Sequence, residues 1–455
     1  MAILKKKRTY LLVTVALLIV VGFYSLNVVK SAARAYIFAY PINVMEYTRL
    51  AMQDAMGTNK LNHLRDFPNH NFRQVVRPNN DTLYSNAWFD LSQEPMIISV
   101  PDIERYYVLP FMDAWTNVFG FIGSRTTGNQ AGDYALVGPD FEGVLPDNIP
   151  RITAPTNMVW MIGRIHVYGQ HDIANVAQIQ DNIHITPLSK WSSQTPMPAT
   201  VTPKNLNSNP INPKEQVDGL TASEFFSQFA KLLEKQPAHA RDKAEFDNFA
   251  ELGLTKENQF NLANLNPFKQ FLISTGAKLA NDKLHSALQS KGTSPKENGW
   301  NVWRDTLGAY GTNYTVRAGV TLGGLGALSA QEAAYPSADT DINGEKLHGS
   351  NKYQLRFKAG QMPPVNAFWS LTMYNTEGYL IESPINRYLV NSSDDLQLND
   401  DGSLTIVIQH AQPKDNVSNW LPAPAEDFSV LLRLYDTTSA FTDGSWEIPP
   451  LERLE

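Results

Sequence analysis

Cysteine is the residue that this chain of 455 amino acids lacks entirely. Its absence excludes disulfide bonds, thiolate metal sites, cysteine nucleophiles and a cysteine-linked lipid anchor. It also leaves nothing that an oxidising compartment could cross-link wrongly. The composition therefore permits a location outside the cytoplasm without proving one.

Charge of either sign is also scarce, since Asp, Glu, Lys and Arg together make up 18% of the chain. The 38 basic and 45 acidic residues give a net charge of −7, so a chain-wide basic surface is absent and no nucleic-acid partner is predicted. Hydrophobic residues, at 43%, are typical of a folded chain, and the length suits two or three domains.

The common catalytic motifs are missing as well. The sequence has no G-x-S-x-G nucleophile elbow, no H-E-x-x-H zinc motif, no Walker-type phosphate loop and no G-x-G-x-x-G after a strand. Of nine histidines, only His63 with His70 and His166 with His171 form close pairs, and neither pair has a supporting acidic motif. Structural histidines are therefore preferred over a metal centre, and we predict neither a metal nor a cofactor.

One long apolar run is present, at residues 10–29, where twenty residues carry no charge. As a helix rising about 1.5 Å per residue it would cross the roughly 30 Å core of a bilayer. The basic residues at positions 5–8 would stay in the cytoplasm and direct the rest of the chain outward. The run predicts an inner-membrane anchor with the folded part in the periplasm.

A cleavable signal peptide is the alternative for residues 1–35, with Ala33-Arg34-Ala35 as an A-x-A-like cleavage site. Polar residues after Val21 favour cleavage, whereas Lys30 and Arg34 beside the site argue against it. Both interpretations place the folded part in the cell envelope. The membrane is a partner through this helix only if the segment is not cleaved.

Two regions have the pattern of short β-strands. The strands predicted in the first region are residues 83–91, 96–100, 106–111, 118–122, 134–137 and 158–167. The strands predicted in the second are residues 353–357, 367–374, 404–410 and 429–435, with hairpin turns at residues 375–378 and 399–402. Regular short strands of this kind are typical of a sandwich or barrel.

Helical patterns precede and separate the two β regions. They cover residues 35–56, with Pro41 starting or kinking the helix, and residues 221–235, which open with a Thr221–Glu224 capping box. Residues 268–279 and 302–328 continue the helical part, after an extended connection at 194–213.

The patterns together predict a β-rich α+β chain with two β-sandwich or jelly-roll-like lobes and a helical insert between them. The predicted boundaries are 1–35 for the anchor or signal, 36–190 for the first lobe with its leading helix, 191–330 for the linker and helical region, and 331–455 for the second lobe.

Three sequence stretches carry a resemblance to a bacterial two-domain family. They are Arg-Pro-Asn-Asn-Asp-Thr-Leu-Tyr-Ser at 77–85, Pro-Pro-Val-Asn-Ala-Phe-Trp-Ser at 363–370 and Asn-Trp-Leu-Pro-Ala-Pro at 419–424, with further matching residues at 379–388 and 402–404. Residues 70–190 resemble the 1254-type domain of unknown function, and residues 330–450 resemble the 1214-type domain that follows it. The resemblance implies a β-rich, two-lobed envelope protein, and it implies no established reaction or catalytic residue.

The strongest polar cluster of the sequence lies in the first of these stretches. Arg77, Asp81 and Tyr84 are its weak catalytic candidates, because an arginine can hold an anion and a buried aspartate can act as a base. Arg73, Asn79 and Asn80 are candidates for ligand binding. A structured turn fixed by Pro78 is the preferred alternative, since Asn and Asp favour Asx-turns.

Three further patterns have both a functional and a structural interpretation. Asp113, Trp115 and Asn117 follow a predicted strand and could line a ligand pocket or form an ordinary edge. Residues 310, 313, 314 and 317 share one face of the predicted 302–328 helix, which we expect to pack on a sheet. Residues 339–344 resemble the start of a calcium loop, but Ser350 stands where the bidentate glutamate is required, so a hairpin turn is preferred.

Two functions remain open from the sequence. The first is a ligand-binding or assembly protein of the envelope, whose β lobes present aromatic grooves to a small molecule, a glycan or a partner subunit. The second is a metal-independent hydrolase with its pocket near residues 77–84. Exposed β edges are compatible with a homo-oligomer.

Overall fold

A computed structural model describes residues 2–73, 76–191, 212–254, 260–289, 295–305, 307–383 and 385–454. The chain divides into two compact units. The first unit comprises Met1–Thr48, Ile211–Lys291 and Gly311–Leu325, and the second comprises Arg49–Pro210, Gly292–Tyr310 and Gly326–Glu455. Most of the extended connection predicted at 194–213 lies outside the described residues.

Nine α-helices occur in the described part of the chain. In order they are α1 (Ala2–Met56), α2 (Ile173–Asp181), α3 (Leu188–Trp191), α4 (Pro213–Asp218), α5 (Ala222–Lys235), α6 (Lys243–Phe249), α7 (Pro267–Gln289), α8 (Tyr314–Gly324) and α9 (Ser439–Thr442).

Helix α1 continues without a break from Ala2 to Met56 and includes Pro41 in its interior. The prediction that Pro41 starts a helix is therefore wrong. The part from Tyr10 to Gln53 is long and apolar enough to cross a membrane by length and composition, a test that a signal sequence also passes. Its side chains from Tyr10 to Leu26 are largely exposed, whereas Val28, Ala32 and Ala35 are buried.

The first unit packs its helices around the second half of α1. Tyr36 stacks on Phe225 of α5 with ring centroids 4.1 Å apart, and Phe38 contacts Phe246 and Phe249 edge to face. The predicted capping box of α5 is confirmed, because Thr221 accepts from the Glu224 N–H while the Glu224 carboxylate accepts from the Thr221 N–H.

The helix predicted over 302–328 is shorter than expected and begins only after Asn313, whose side chain accepts from the Val316 N–H at 3.2 Å. Gly308 and Gly311 have φ of +72° and +55°, which are incompatible with a continuing right-handed helix. Tyr310 lies outside the helix, so it shares no helical face with Tyr314.

The first two sheets of the second unit are built by residues 61–187. One has the order β1-β2-β8-β4-β5 and the other β7-β6-β3-β9. Their strands are β1 (Leu61–His63), β2 (Thr82–Asp90), β3 (Met96–Val100), β4 (Tyr107–Asp113), β5 (Val118–Gly123), β6 (Gly132–Val137), β7 (Arg151–Thr153), β8 (Met158–His166) and β9 (His184–Pro187). One apolar cluster contains Leu83 and Phe89 of the first sheet together with Ile98 and Leu136 of the other.

The other two sheets are built mainly by residues 333–454. They have the orders β10-β11-β13-β19-β15-β16, with β12 also pairing β19, and β18-β17-β14-β20. Their strands are β10 (Lys296–Glu297), β11 (Trp300–Asn301), β12 (Ala333–Ala334), β13 (Ser337–Ala338), β14 (Lys352–Phe357), β15 (Trp369–Asn375), β16 (Leu389–Asn391), β17 (Leu404–Gln409), β18 (Trp420–Pro422), β19 (Phe428–Tyr435) and β20 (Leu451–Leu454). A single apolar cluster again draws on both sheets.

The β-rich α+β architecture and the helices between the β regions are confirmed. Both predicted turns are present, since Gly378 and Gly402 have φ of +87° and +76°, and their N–H groups donate to Asn375 O and Asn399 O. The sandwich or jelly-roll assignment of each lobe stays a prediction.

Candidate functional site

The polar stretch at 77–84 lies at the entry to β2 and leads into a buried network. The Asp81 side chain is buried and accepts hydrogen bonds from Ser370 Oγ of β15 and, at 3.2 Å, from Tyr435 Oη of β19. Asn79 Nδ2 donates to Tyr435 Oη at 2.7 Å, and Asn79 Oδ1 accepts from the Asp81 N–H at 2.8 Å. The stretch is thus fixed to two strands more than 280 residues further along the chain.

Arg433 of β19 completes this network with a buried guanidinium group. It donates to Thr372 Oγ1 at 2.8 Å, to Tyr374 Oη at 2.7 Å and to the carbonyl oxygen of Arg77 at 3.0 Å. Tyr374 Oη in turn donates to the Pro78 carbonyl at 2.6 Å. A backbone turn with left-handed φ at Arg77 (+53°) is thereby held by side chains of β15 and β19.

Burial raises the pKa of Asp81, and Arg433 together with the hydrogen bonds from Ser370, Asn79 and Tyr435 acts in the opposite direction. The hydroxyl and amide groups around this carboxyl bond to one another. Such a network stabilises the junction of the loop with the sheet. The geometry of the network around Asp81 is that of a structural contact inside the protein.

The other sequence candidates of this stretch lie apart from one another. Arg73 and Arg77 are exposed, and the Arg73 guanidinium lies over the Tyr379 ring at 4.9 Å. Asn80 donates to the Pro68 carbonyl at 2.5 Å, and Tyr84 is half-buried beneath the guanidinium of Arg164, which lies 5.4 Å from its ring centroid.

Asp113, Trp115 and Asn117 form the buried turn between β4 and β5. Asp113 Oδ1 accepts from the N–H of Trp115 at 2.9 Å and from that of Asn117 at 2.8 Å. Thr116 between them has φ of +68°, a left-handed conformation that these hydrogen bonds fix. The carboxylate is directed to its own turn.

A cavity of about 290 Å³ lies elsewhere in the second unit, between the loops that follow β8, precede β15 and follow β19. His166 and Phe368 form its buried floor, and Tyr168, Asn366 and Ser393 form its exposed rim. The remaining lining residues are Arg105, Tyr106, Ser124, Asn129, Ala367 and Asp436. Aromatic faces beside a few convergent polar groups are typical of small-molecule sites.

An aromatic stack connects the floor of this cavity with the buried network. The His166 ring stacks on Phe368 at 3.6 Å, and Phe368 stacks on Tyr435 at 4.3 Å. Tyr435 is the residue whose hydroxyl group contacts Asp81. The floor is therefore held in place by the same hydrogen bonds that fix the 77–84 stretch.

The charges near the cavity largely cancel. Arg105 forms a salt bridge with Asp172, both side chains being mostly buried, and the Arg105 guanidinium lies 4.9 Å from the centroid of the Tyr168 ring. Burial and the nearby Arg105 lower the pKa of His166 to about 3, so its imidazole is neutral at physiological pH. Asp436, with φ of +53°, supplies a carboxylate at the wall.

A second cavity, of about 200 Å³, is lined by Asp66, Phe67, Pro68, Asn69, Asn80, Gln170, Asn386 and Tyr388. It contains one of the ligand-binding candidates predicted from the sequence, Asn80. Tyr388 Oη bonds to His70 Nδ1 at 3.1 Å behind this wall. Its lining has fewer aromatic faces than that of the first cavity.

Within the described ranges, no group of three or more His, Cys, Asp and Glu side chains is arranged to hold a metal ion. The calcium-like segment at 339–344 forms a turn in which Asp341 Oδ1 accepts from the N–H groups of Asn343 and Glu345 at 2.9 and 3.0 Å. The carboxylate thus caps its own loop.

Sequence reasoning did not single out the lining of the first cavity. Its residues come from distant segments of the chain, and no single motif contains them all. Phe368 does lie in the 363–370 stretch, and His166 in one of the two close histidine pairs. The sequence therefore contained a pattern that pointed to each residue, but only the folded chain brings the two rings together.

The comparisons with known proteins agree with this architecture. Residues 58–187 match the family described as Protein of unknown function (DUF1254), and residues 332–439 match Protein of unknown function (DUF1214). None of the curated proteins matches the chain.

Two solved structures are similar to this chain. The VPA0106 protein from Vibrio parahaemolyticus is 24% identical, with a TM-score of 0.71 over 94% of this chain and 100% of that one, which shows a shared fold. An uncharacterized protein from Burkholderia cenocepacia is 12% identical, with a TM-score of 0.45 over 95% of each chain. The chain is thus a member of the two-domain family in which a DUF1254 domain is followed by a DUF1214 domain.

Proposed function

We propose that this protein is a membrane-anchored binding protein of the cell envelope, which holds a small, uncharged, hydroxyl-rich molecule in the cavity above His166 and Phe368. The observation that carries the proposal is the cavity itself, with its buried aromatic floor and its polar rim. A volume of about 290 Å³ suits a monosaccharide or a disaccharide.

The electrostatics favour an uncharged ligand. The guanidinium group of Arg105 is already paired with Asp172, and the imidazole of His166 is neutral. An added anion would therefore meet no free cation on the cavity floor, while the Asp436 carboxylate at the wall would accept hydrogen bonds from hydroxyl groups. The exposed ring of Tyr168 offers an apolar surface for the C–H face of a sugar.

Hydrolysis at the 77–84 stretch is the weaker alternative. Asp81 is buried and fully engaged with Ser370 and Tyr435, and neither cavity described above is lined by Arg77, Asp81 or Tyr84. A base must reach the proton that it removes, so this arrangement favours binding over catalysis.

Replacing Ser393 with tryptophan is expected to weaken ligand binding by about tenfold or more, because the indole would fill the exposed rim of the cavity. The measurement is a thermal-shift screen of the full chain with three panels, namely neutral sugars, small carboxylates and small amines. Sugars that raise the melting temperature are then titrated against the Ser393→Trp variant. Asp395→Trp, at an exposed position outside the lining, is the matched control.

Stabilisation by carboxylates or amines alone would contradict the uncharged ligand class. Equal titration curves for Ser393→Trp and Asp395→Trp would place the binding outside this cavity. Binding together with turnover of a bound sugar would favour the enzyme alternative.

The packing of α1 supports an uncleaved anchor. The A-x-A-like site at 33–35 lies inside the helix, Ala32 before it and Ala35 within it are buried, and Arg34 forms an ion pair with Glu245 at 2.5 Å. Cleavage after Ala35 would remove the buried Val28 and Ala32 from the unit, together with the Arg34–Glu245 ion pair.

Alkaline phosphatase fused to the C terminus is expected to be active, because the basic residues at 5–8 would keep the N terminus in the cytoplasm. A green fluorescent protein fusion at the same point, which matures in the cytoplasm, is the reciprocal control. Fluorescence without phosphatase activity would reverse the orientation. Mass measurement of the purified chain separates an intact N terminus from one cut near residue 35.

A further inference from the structure

Helix α7 exposes three large apolar side chains on one face. Phe268, Phe271 and Leu279 have exposed fractions of 48%, 65% and 54%. With Thr275 they follow the spacing i, i+3, i+7 and i+11, which aligns them along one side of a helix. Ile273, Ala277 and Ala280 on the opposite side are buried in the unit, so the exposed stripe faces away from its core.

The same helix contacts α1 where the uncharged run of α1 ends. A Cβ atom added to Gly276 of α7 would lie 2.4 Å from the Val29 carbonyl oxygen and 2.7 Å from Ala32 Cβ, so the two helices are in close contact there. Val29 is the last residue of the uncharged run, and Lys30 follows it. If residues 10–29 span the bilayer core, this contact lies at the level of the lipid headgroups.

The charges of α7 also favour a position at the level of the lipid headgroups. The helix carries three lysines, Lys269, Lys278 and Lys283, against one aspartate, Asp282. A basic helix with phenylalanine and leucine on its apolar face is typical of segments that lie in the membrane interface. Aromatic side chains are enriched at that depth.

From this geometry we infer that α7 is an interfacial helix, whose stripe of Phe268, Phe271 and Leu279 inserts into the lipid surface beside the point where α1 leaves the bilayer. The inference rests on the proposed membrane anchor. It adds a second lipid contact, which fixes the orientation of the helical unit on the membrane surface.

The absence of native cysteine makes the test direct, because a single introduced cysteine is the only one to be labelled. The full chain is reconstituted in vesicles of phosphatidylcholine and phosphatidylglycerol that carry a lipid quencher at the upper acyl chain. A fluorophore is attached in the Phe271→Cys variant and, as an independent second position, in Leu279→Cys. The control is Ser223→Cys in the first turn of α5, where Glu224 acts electrostatically on Tyr47.

Tyr47 lies about 27 Å further along α1 than Val29, so a label at position 223 is expected to remain in water. Labels at 271 and 279 are expected to be quenched roughly threefold more, because interfacial helices bury their apolar face about 5–10 Å into the boundary of headgroups and acyl chains.

The outcomes separate the anchor from the interfacial helix. Failure of the chain to float with the vesicles would overturn the anchor itself. Flotation with equal quenching at all three positions would overturn the interfacial helix and leave the anchor standing. Shielding of position 271 in detergent without lipid would assign the stripe to contact with a second copy of the chain and also overturn the inference.

Discussion

The Arg433→Met variant is expected to lose about 3–5 kcal/mol of stability, because removing one partner from a buried charged network leaves the others uncompensated. The substitution deprives Thr372, Tyr374 and the Arg77 carbonyl of their donor, and it removes the cation that opposes the raised pKa of Asp81. For a unit of this size the loss corresponds to a fall of roughly 10 °C in melting temperature. Thermal unfolding of the full chain in detergent, followed by tryptophan fluorescence, measures it.

Arg356→Met is the matched control, since Arg356 pairs with Asp401 on the exposed side of β14 and both side chains are about half exposed. A melting temperature close to that of the unchanged protein is expected for this variant. The double variant Arg433→Met with Asp81→Asn should lose less than the sum of the two single losses, because the two groups interact. Equal small losses for Arg433→Met and Arg356→Met would contradict a stabilising network.

The strands were the most predictable part of the fold. Each strand predicted in the two β regions is present within a few residues of its expected bounds. Short apolar and aromatic runs bounded by Gly, Pro and Asp are typical of β-strands and of few other structures. The strands that sequence reasoning missed, such as β1, β9 and β16, have three or four residues. Such segments depend on pairing with a neighbour more than on their own pattern.

The helix predicted over 302–328 shows that helical spacing of apolar residues is not sufficient to predict a helix. Apolar residues at helical spacing run through the segment, yet Gly308 and Gly311 adopt left-handed conformations and Asn313 caps the helix that follows. Whether a glycine is helical or marks a turn depends on tertiary contacts, and Val118 N–H donating to the Gly308 carbonyl at 2.7 Å is one of them.

The candidate site was less predictable than the fold. The polar stretch at 77–84 does collect buried polar groups, but its partners Ser370, Arg433 and Tyr435 lie on strands that pair only in the folded chain. The cavity floor joins His166, at the end of β8, with Phe368, just before β15. No local pattern encodes such a contact, since it depends on how the sheets meet.

Acidification is expected to destabilise the protein between about pH 6.5 and pH 4 through His63 and His166. Burial lowers the pKa of each imidazole from its ordinary 6.5 to about 3. Within that interval the unfolded chain binds a proton at each histidine and the folded chain does not, so the free energy of unfolding falls as the pH falls. Each histidine contributes a slope of about 1.4 kcal/mol per pH unit, and above pH 6.5 the contribution disappears.

Melting temperatures of the full chain between pH 8 and pH 4 test this expectation. The variants His63→Gln and His166→Gln should each lose their share of the pH slope, while His171→Gln, at an exposed position, should keep the slope of the unchanged protein. The raised pKa values of the buried Asp81 and Glu332 act with the opposite sign, because those groups take up protons more readily when folded. The test therefore compares the pH slopes of the melting temperature between variants and does not depend on the total slope of the unchanged protein.

His166 connects this pH dependence with the proposed cavity. A neutral imidazole at the floor can exchange hydrogen bonds with a hydroxyl group, and its protonation would place an uncompensated charge beside the Arg105 guanidinium. Binding of an uncharged sugar is therefore expected to stay constant from pH 8 to pH 5, whereas an anion held by a protonated His166 would bind more tightly as the pH falls. An unchanged slope in the His166→Gln variant would contradict the buried neutral state from which both expectations are derived.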